Sequence, residues 1–249
     1  MISVCMATYN GERFIKEQID SILMQIGPND EIVISDDHST DNTLKIISSY
    51  NDKRIKLINN PNVRSVSYNF LNSLKNAKGD YIFLSDQDDI WMPQKIQIIL
   101  ENLINYDLVV HDAKVIDSKG NILNNSAHQN ARVNFVYNLI SNRTFSGCCM
   151  AFRRSILSFC LPFPPSFIMY DHWIALCALT LGLRVKYIEN KLILYRRHFD
   201  NNSFFKKSKN NFFTKIKYRL VMIYYIFKNI LRHYKKAKKY INEISAKLN

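Results

Sequence analysis

The chain has 249 residues, 47% of them hydrophobic and 22% charged, which is enough apolar material for a packed core and excludes a disordered or fibrous protein. Purely apolar runs such as Val221 to Phe227 are far short of the roughly 20 residues that cross a bilayer, and nothing after Met1 has a signal-peptide pattern, so a cytosolic-side protein is expected. The net charge of +13 is uneven: residues 204–249 hold 13 of the 34 basic residues and one of the 21 acids, so the body is nearly neutral and the tail carries +12.

Alternating strand and helix patterns open the chain. Strands are predicted at Ile2 to Thr8, Glu31 to Ser35, Ile55 to Asn59 and Tyr81 to Ser85, with helical periods at Glu12 to Gln25, Asp41 to Tyr50 and Ser65 to Asn76. That order calls for a doubly wound, mostly parallel α/β sheet, in which ligands bind beyond the carboxyl ends of the strands. A helix from Pro93 to Ile104, a strand from Leu108 to Ile116 and an Asn-rich stretch to about Asn130 follow. The second half adds Val133 to Ile140, a Gly147-Cys148-Cys149-Met150 segment, a helix from Asp171 to Leu181, and strands at Val185 to Ile188 and Leu192 to Arg196. No repeat or Gly/Ser linker interrupts it. The reading is one domain with two functional halves, residues 1–110 for a nucleotide-bearing ligand and 111–205 for catalysis and acceptor, followed by the tail at 206–249. Cys5, Cys148, Cys149, Cys160 and Cys177 sit in apolar runs with no Cys-x-x-Cys pair and read as small buried residues.

Three strand ends deliver polar clusters to one sheet edge: Thr8-Tyr9-Asn10-Gly11, Asp36-Asp37-His38-Ser39 and Asp86-Gln87-Asp88-Asp89. Three carboxylates in four residues repel one another unless a cation neutralises them, and oxygen ligands suit Mg²⁺ or Mn²⁺ carrying a diphosphate. The competing reading is a solvated acidic turn before the next helix. Asp36-Asp37 stands where such sheets commonly meet a ribose or base. The turn after the first strand has a single glycine, Gly11, which counts against dinucleotide oxidoreductases and P-loop enzymes.

Met6-Ala7-Thr8-Tyr9-Asn10-Gly11, Ile34-Ser35-Asp36-Asp37-His38-Ser39-Thr40-Asp41 and Ala77 to Trp91, with its Ser85-Asp86-Gln87-Asp88-Asp89-Ile90-Trp91 core, together resemble the signatures of family 2 glycosyltransferases of the GT-A fold. The last variant is most similar to the bacterial rhamnosyltransferase-like subgroup of cell-surface polysaccharide synthesis. The resemblance implies a nucleotide-sugar pocket lined by Ala7, Thr8, Tyr9, Glu12, Asp36, Asp37, Asp86 and Gln87, and a Mn²⁺ or Mg²⁺ ion on Asp88 with Asp86 and His198. It implies a catalytic base at Asp171, in Tyr170-Asp171-His172-Trp173. Two departures are visible: His38 replaces the usual glycine after the paired acids, and Asn62 to Asn69 carries Arg64 where glycine is common.

The chemistry fits this assignment. A departing diphosphate needs a cation and an attacking hydroxyl needs a base; one base opposite the leaving group implies a single displacement with inversion, since retention requires a second carboxylate as nucleophile. Trp173 reads either as a platform for an acceptor sugar or as core. Gly147 reads either as a close approach to the acceptor or as a buried strand. His172 is a further candidate for acceptor binding, though it and His111 are weaker candidates than His198. In the tail, Phe213, Ile216, Leu220, Ile223, Phe227, Ile230 and Tyr234 recur at helical spacing, with Lys217, Lys228, Arg232 and Lys235 opposite. Such a basic amphipathic helix suits an anionic membrane surface, and its stripe could instead pack on the body or form a homodimer. No nucleic-acid module accompanies it.

The expectation is therefore a metal-dependent, inverting enzyme that uses a UDP- or dTDP-linked sugar and a glycan or glycolipid acceptor, peripheral on the inner face of a bacterial membrane. Its rivals are a nucleotidyltransferase that makes a nucleotide sugar and a non-catalytic membrane-docking protein with a degenerate pocket.

Overall fold

The computed structural model describes residues 1–61, 65–129, 131–141, 144–164, 169–198 and 212–248. Arg64 and residues 206–211 of the predicted tail lie outside these. The opening units form β1 (Ile2–Thr8), α1 (Ile15–Leu23), β2 (Glu31–Asp36), α2 (Thr43–Ser49), β3 (Ile55–Asn59), α3 (Val66–Asn76) and β4 (Tyr81–Ser85). β1, β2 and β4 read as continuous apolar runs because they are buried almost throughout, as parallel strands covered on both faces must be.

The order β3-β2-β1-β4 is parallel throughout, with Ala7 opposite Ser35 and Thr8 opposite Asp36, so the three strand ends do share an edge. Beyond β4 the sheet becomes mixed. A two-residue β5 (Ile90–Trp91) and α4 (Lys95–Leu103) lead to β6 (Leu108–Ile116), β7 (Ile122–Asn124) and α5 (Phe135–Ser141). β8 (Met150–Arg153) runs antiparallel between β4 and β6, and α6 (Leu157–Cys160) and α7 (Tyr170–Thr180) follow it. The two strands predicted after α7 are one, β9 (Val185–Arg196), parallel to β6 and antiparallel to β5. Its pairing with β6 shifts register on either side of Asp112, opposite the polar Glu189-Asn190-Lys191 segment that reads as a break in the sequence.

The final element, α8 (Phe212–Leu248), is 37 residues long and packs along α6 and α7. The face that packs is not the stripe the sequence suggests. Met222, Ile226 and Ala237 are buried and Tyr218, Tyr225 and Tyr240 partly so, whereas Leu220, Phe227 and Leu231 are 61%, 61% and 71% exposed. Adjacent residues therefore differ in role. Ile226→Ala should cost about 2–5 kcal/mol and lower the melting temperature, while Phe227→Ala should stay within about 0.5 kcal/mol of wild type. Calorimetry of the two variants checks this, and equal losses would contradict the packing.

Candidate active site

The edge defined by β1, β2 and β4 is built from loops that hold one another. Gln87, after β4, reaches across to the exit of β1. Its Oε1 accepts from Thr8 Oγ1 (2.6 Å) and the Tyr9 amide (2.9 Å), and its Nε2 donates to the Tyr9 carbonyl (3.0 Å). A Cβ on Gly11 would collide with that carboxamide, which gives the lone glycine its reason. From α3, Asn69 Nδ2 donates to the Thr8 carbonyl (3.0 Å). Gln87 and Thr8 thus form the clamp behind the pocket, with Ala7 and Tyr9 left partly exposed at its rim.

Asp36 and Asp37 are both buried, and both serve the loop. Asp36 accepts from the Ser39 amide and hydroxyl, and Asp37 from Asn60 Nδ2 (2.8 Å) and the Ser65 amide (3.0 Å). Between them and Ser39, His38 takes the left-handed conformation (φ 63°), so the turn keeps the backbone that glycine favours. Glu12 is exposed, and its carboxylate accepts from the Asn42 amide and side chain, holding the start of α2.

Asp88 turns toward the end of β9, where His198 Nε2 donates to its Oδ2 at 2.8 Å. Arg196, which the sequence analysis overlooked, organises this contact. Its amide donates to Asp89 Oδ1 (3.0 Å), its Nε donates to the Asp88 carbonyl (2.9 Å), and its guanidinium pairs with Glu17 of α1 over the Phe14 ring. The Phe14 ring also lies 4.9 Å from the His198 ring. Arg196 therefore fixes both the acidic loop and the strand end that presents His198. Alternation along β9 could have flagged it, since an arginine there points inward.

Below Asp88 lies a dense ionisable cluster. Burial, then the charges of Asp88 and Asp171, push the Asp86 carboxyl up to about 8, and burial with Asp88 and Asp86 raises Asp89 well above the carboxylate range. The fully buried Lys95 donates to the Cys148 carbonyl (3.0 Å) and stacks its ammonium 4.1 Å from the Trp91 ring; burial brings it down to about 8. A lysine in the first turn of a helix opposes the helix dipole, and that mismatch was the available sequence signal. Ligand atoms of Asp86, Asp89 and Cys148 lie within 4.8 Å of one another. Among the described residues Asp86 thus groups with Asp89 and Cys148 rather than, as the sequence suggests, with Asp88 and His198; Mg²⁺ and Mn²⁺ favour oxygen and imidazole over a thiol, so the Asp88–His198 pair suits such an ion better than the group with Cys148 and the Lys95 ammonium.

Asp171 begins α7. Its Oδ2 accepts from the Gly147 amide (3.0 Å) and its Oδ1 from the His172 amide (2.7 Å). Burial raises its carboxyl to about 6, with those two amides opposing the rise. Gly147 is thus a positioning residue rather than an acceptor contact: it lies in a buried 3₁₀ turn (Gly147–Cys149), and a Cβ there would overlap the Tyr170 hydroxyl. The other two acceptor expectations are also corrected. Trp173 is 2% exposed and donates from Nε1 to the Cys160 carbonyl (2.9 Å), and His172 is 1% exposed with Nε2 donating to the Asn138 carbonyl (2.8 Å). Both belong to a helix buried on nearly every face. His111 is likewise buried, its Nδ1 donating to the Asp112 carbonyl.

The parallel sheet edge thus brings together a clamped rim, a paired acid and histidine, and a half-buried carboxylate at a helix start. Residues 3–160, more than half of the chain, match the family model described as glycosyl transferase family 2, and the chain belongs to that family. It is 30% identical over 214 residues to an uncharacterized glycosyltransferase, alr2836, of Nostoc, covering 81% of this chain and 66% of that one. It is 40% identical over 118 residues to the dTDP-rhamnosyl transferase RfbG of Shigella flexneri, covering 45% and 41%. It is 33% identical over 124 residues to WfgD of Escherichia coli, a UDP-Glc:alpha-D-GlcNAc-diphosphoundecaprenol beta-1,3-glucosyltransferase, covering 46% and 49%. These matches span from about two fifths to just under two thirds of the relatives' lengths. Among solved structures, Staphylococcus aureus TarS 1–349 in complex with UDP-GlcNAc superposes with a TM-score of 0.69 at 20% identity, covering 89% of this chain and 66% of that one. The mannosyltransferase PcManGT of Pyrobaculum calidifontis, with GDP-Man and Mn²⁺, gives 0.58 at 21%, covering 78% and 56%. The fold is therefore GT-A.

Proposed function

We propose that this chain is a metal-dependent, inverting glycosyltransferase that moves a hexose or deoxyhexose from a UDP- or dTDP-linked donor to a hydroxyl of a growing, lipid-linked bacterial surface glycan. Two geometries support the reading: Asp88 faces His198 at 2.8 Å, an edge that suits a cation, and Asp171 is held by the Gly147 and His172 amides at the start of α7, as a positioned base requires. Asp88 and His198 would hold Mn²⁺ or Mg²⁺, which when bound supplies neutralisation of the departing diphosphate. Asp37 and the β1 rim would receive the nucleoside. Asp171 takes the acceptor proton as the hydroxyl attacks the anomeric carbon, and a single displacement inverts that centre. The named relatives that use dTDP- and UDP-sugars favour these donors, and WfgD, named for a diphosphoundecaprenol acceptor, favours a lipid-linked one. Such an acceptor places the enzyme peripherally at the inner face of the bacterial cytoplasmic membrane.

The test is release of nucleoside diphosphate from a panel of UDP-, dTDP- and GDP-sugars, with Mn²⁺, Mg²⁺ or EDTA. Turnover of one donor that EDTA abolishes, with a product anomer opposite to the donor's by NMR, is the expected result. Metal-independent turnover, or a retained anomer, would contradict it.

A further inference from the structure

The seam between α8 and the body leaves a second apolar stripe on the helix uncovered. Leu220, Tyr224, Phe227, Leu231 and Tyr234 recur at spacings of four, three, four and three, and all are between 54% and 71% exposed. Beside them Lys228, Arg232, Lys235 and Lys239 form a parallel exposed row. We propose that this face of α8 lies on an anionic lipid bilayer while the opposite face stays docked on α6 and α7, making the helix a fixed bracket between the catalytic body and the membrane.

The charges decide between occupants. The three-four spacing would also suit a coiled coil with a second copy, but pairing two copies along this stripe would set Lys217, Lys228, Lys235 and Lys238 against their counterparts. The helix offers a single acid to offset them, Glu243, and it already pairs with Lys239 at 3.8 Å. A bilayer rich in acidic headgroups supplies the missing negative charge, and its interface accommodates tyrosine, phenylalanine and leucine side chains. No described helix is long and apolar enough to cross a membrane, so the contact is a surface one.

The seam sets the orientation. At one end Tyr218 is near enough to Asp171 for that carboxylate to help raise its hydroxyl pKa, and at the other Tyr240 donates to Asp107, ahead of β6 (3.3 Å). At about 1.5 Å per residue, the helix runs about 33 Å between Tyr218 on the catalytic side and Tyr240 at the far edge of the sheet. A bilayer against the exposed stripe would then lie one helix diameter, about 10 Å, beyond the seam that Tyr218 shares with the catalytic side, which leaves a lipid-linked acceptor a short way to travel. That alignment rests on the transfer reading; the membrane contact does not.

Flotation of the full chain with vesicles tests it, using 3:1 phosphatidylcholine to phosphatidylglycerol against phosphatidylcholine alone. Wild type should float with the anionic vesicles and be released by high salt. Leu220→Ser/Phe227→Ser/Leu231→Ser and Lys228→Glu/Arg232→Glu/Lys235→Glu should each lose at least about tenfold in binding, with melting temperature and donor consumption unchanged. Wild type left in solution, or a serine variant that floats as before, would overturn the proposal. So would a dimer in sedimentation that the serine variant dissociates, which would assign the stripe to a second copy. Failure of donor turnover alone would sink the transfer reading and leave vesicle binding standing.

Discussion

Asp171→Asn should lower kcat by about 10²–10⁴-fold while leaving donor affinity nearly unchanged, the loss expected when a general base is removed. The carboxylate is held by two amides, Gly147 on Oδ2 and His172 on Oδ1, and the single carboxamide oxygen of the variant keeps one of them as a donor. What disappears is basicity. With the Asp171 carboxyl pushed up to about 6 by burial, the group is ionised at neutral pH yet basic enough to accept a proton from a hydroxyl under attack. The rate should fall tenfold per pH unit below about 6 and level off above it, and the asparagine variant should lack that limb. Stability runs the other way. A raised carboxyl favours the protonated folded form, so its contribution is present below the ordinary carboxylate range and is lost as pH rises through about 6. The variant should lack that loss of stability as pH rises through about 6. A wild-type pH profile in Asp171→Asn would remove the residue from the reaction.

The strand ends were legible because period and turn chemistry locate them: β1, β3, β4 and β6 fall where alternation and bounding polar residues predict. Helix starts were less so. The first helix begins at Ile15 rather than Glu12, since the Phe14 and Ile15 amides both turn back to the Gly11 carbonyl and the Glu12 side chain leaves to hold α2. Which polar atoms remain for a ligand was not legible at all. Gln87, Asp36 and Glu12 look like binding residues in sequence, and each is engaged by a neighbouring loop through contacts some 3 to 79 residues away in the chain. Trp173 failed for a related reason, because a helix apolar on every side gives no periodic clue to which residue faces the site. The tail shows the reverse. Its clean apolar stripe is the exposed one, while the packed seam is disguised by Asn229 and His233, and Asn229 is buried only because its Nδ2 donates to the Phe159 carbonyl (2.6 Å).

Asp88→Ala should weaken Mn²⁺ binding by more than about 100-fold and carry metal-dependent donor turnover down with it, since removing groups that merely orient metal ligands already costs 10–100-fold. Asp88 is singled out by its partners: His198 holds its carboxylate and Arg196 its carbonyl, so the side chain is aimed before any ion arrives. Arg196→Lys should therefore lose about 10–100-fold in Mn²⁺ affinity without touching the ion, because a lysine cannot serve the Asp88 carbonyl and Glu17 together. Cys148→Ser separates the two candidate groupings. If the cation sits on the Asp88–His198 edge, the serine variant binds Mn²⁺ as wild type does; if it sits on Asp86, Asp89 and Cys148, the serine variant changes affinity and Asp88→Ala changes it less. Titration of the three purified variants with Mn²⁺, read by calorimetry or by the free-ion electron paramagnetic resonance signal, decides between them without depending on turnover. Wild-type Mn²⁺ affinity in Asp88→Ala would move the cation off the loop that β4 and β9 hold in place.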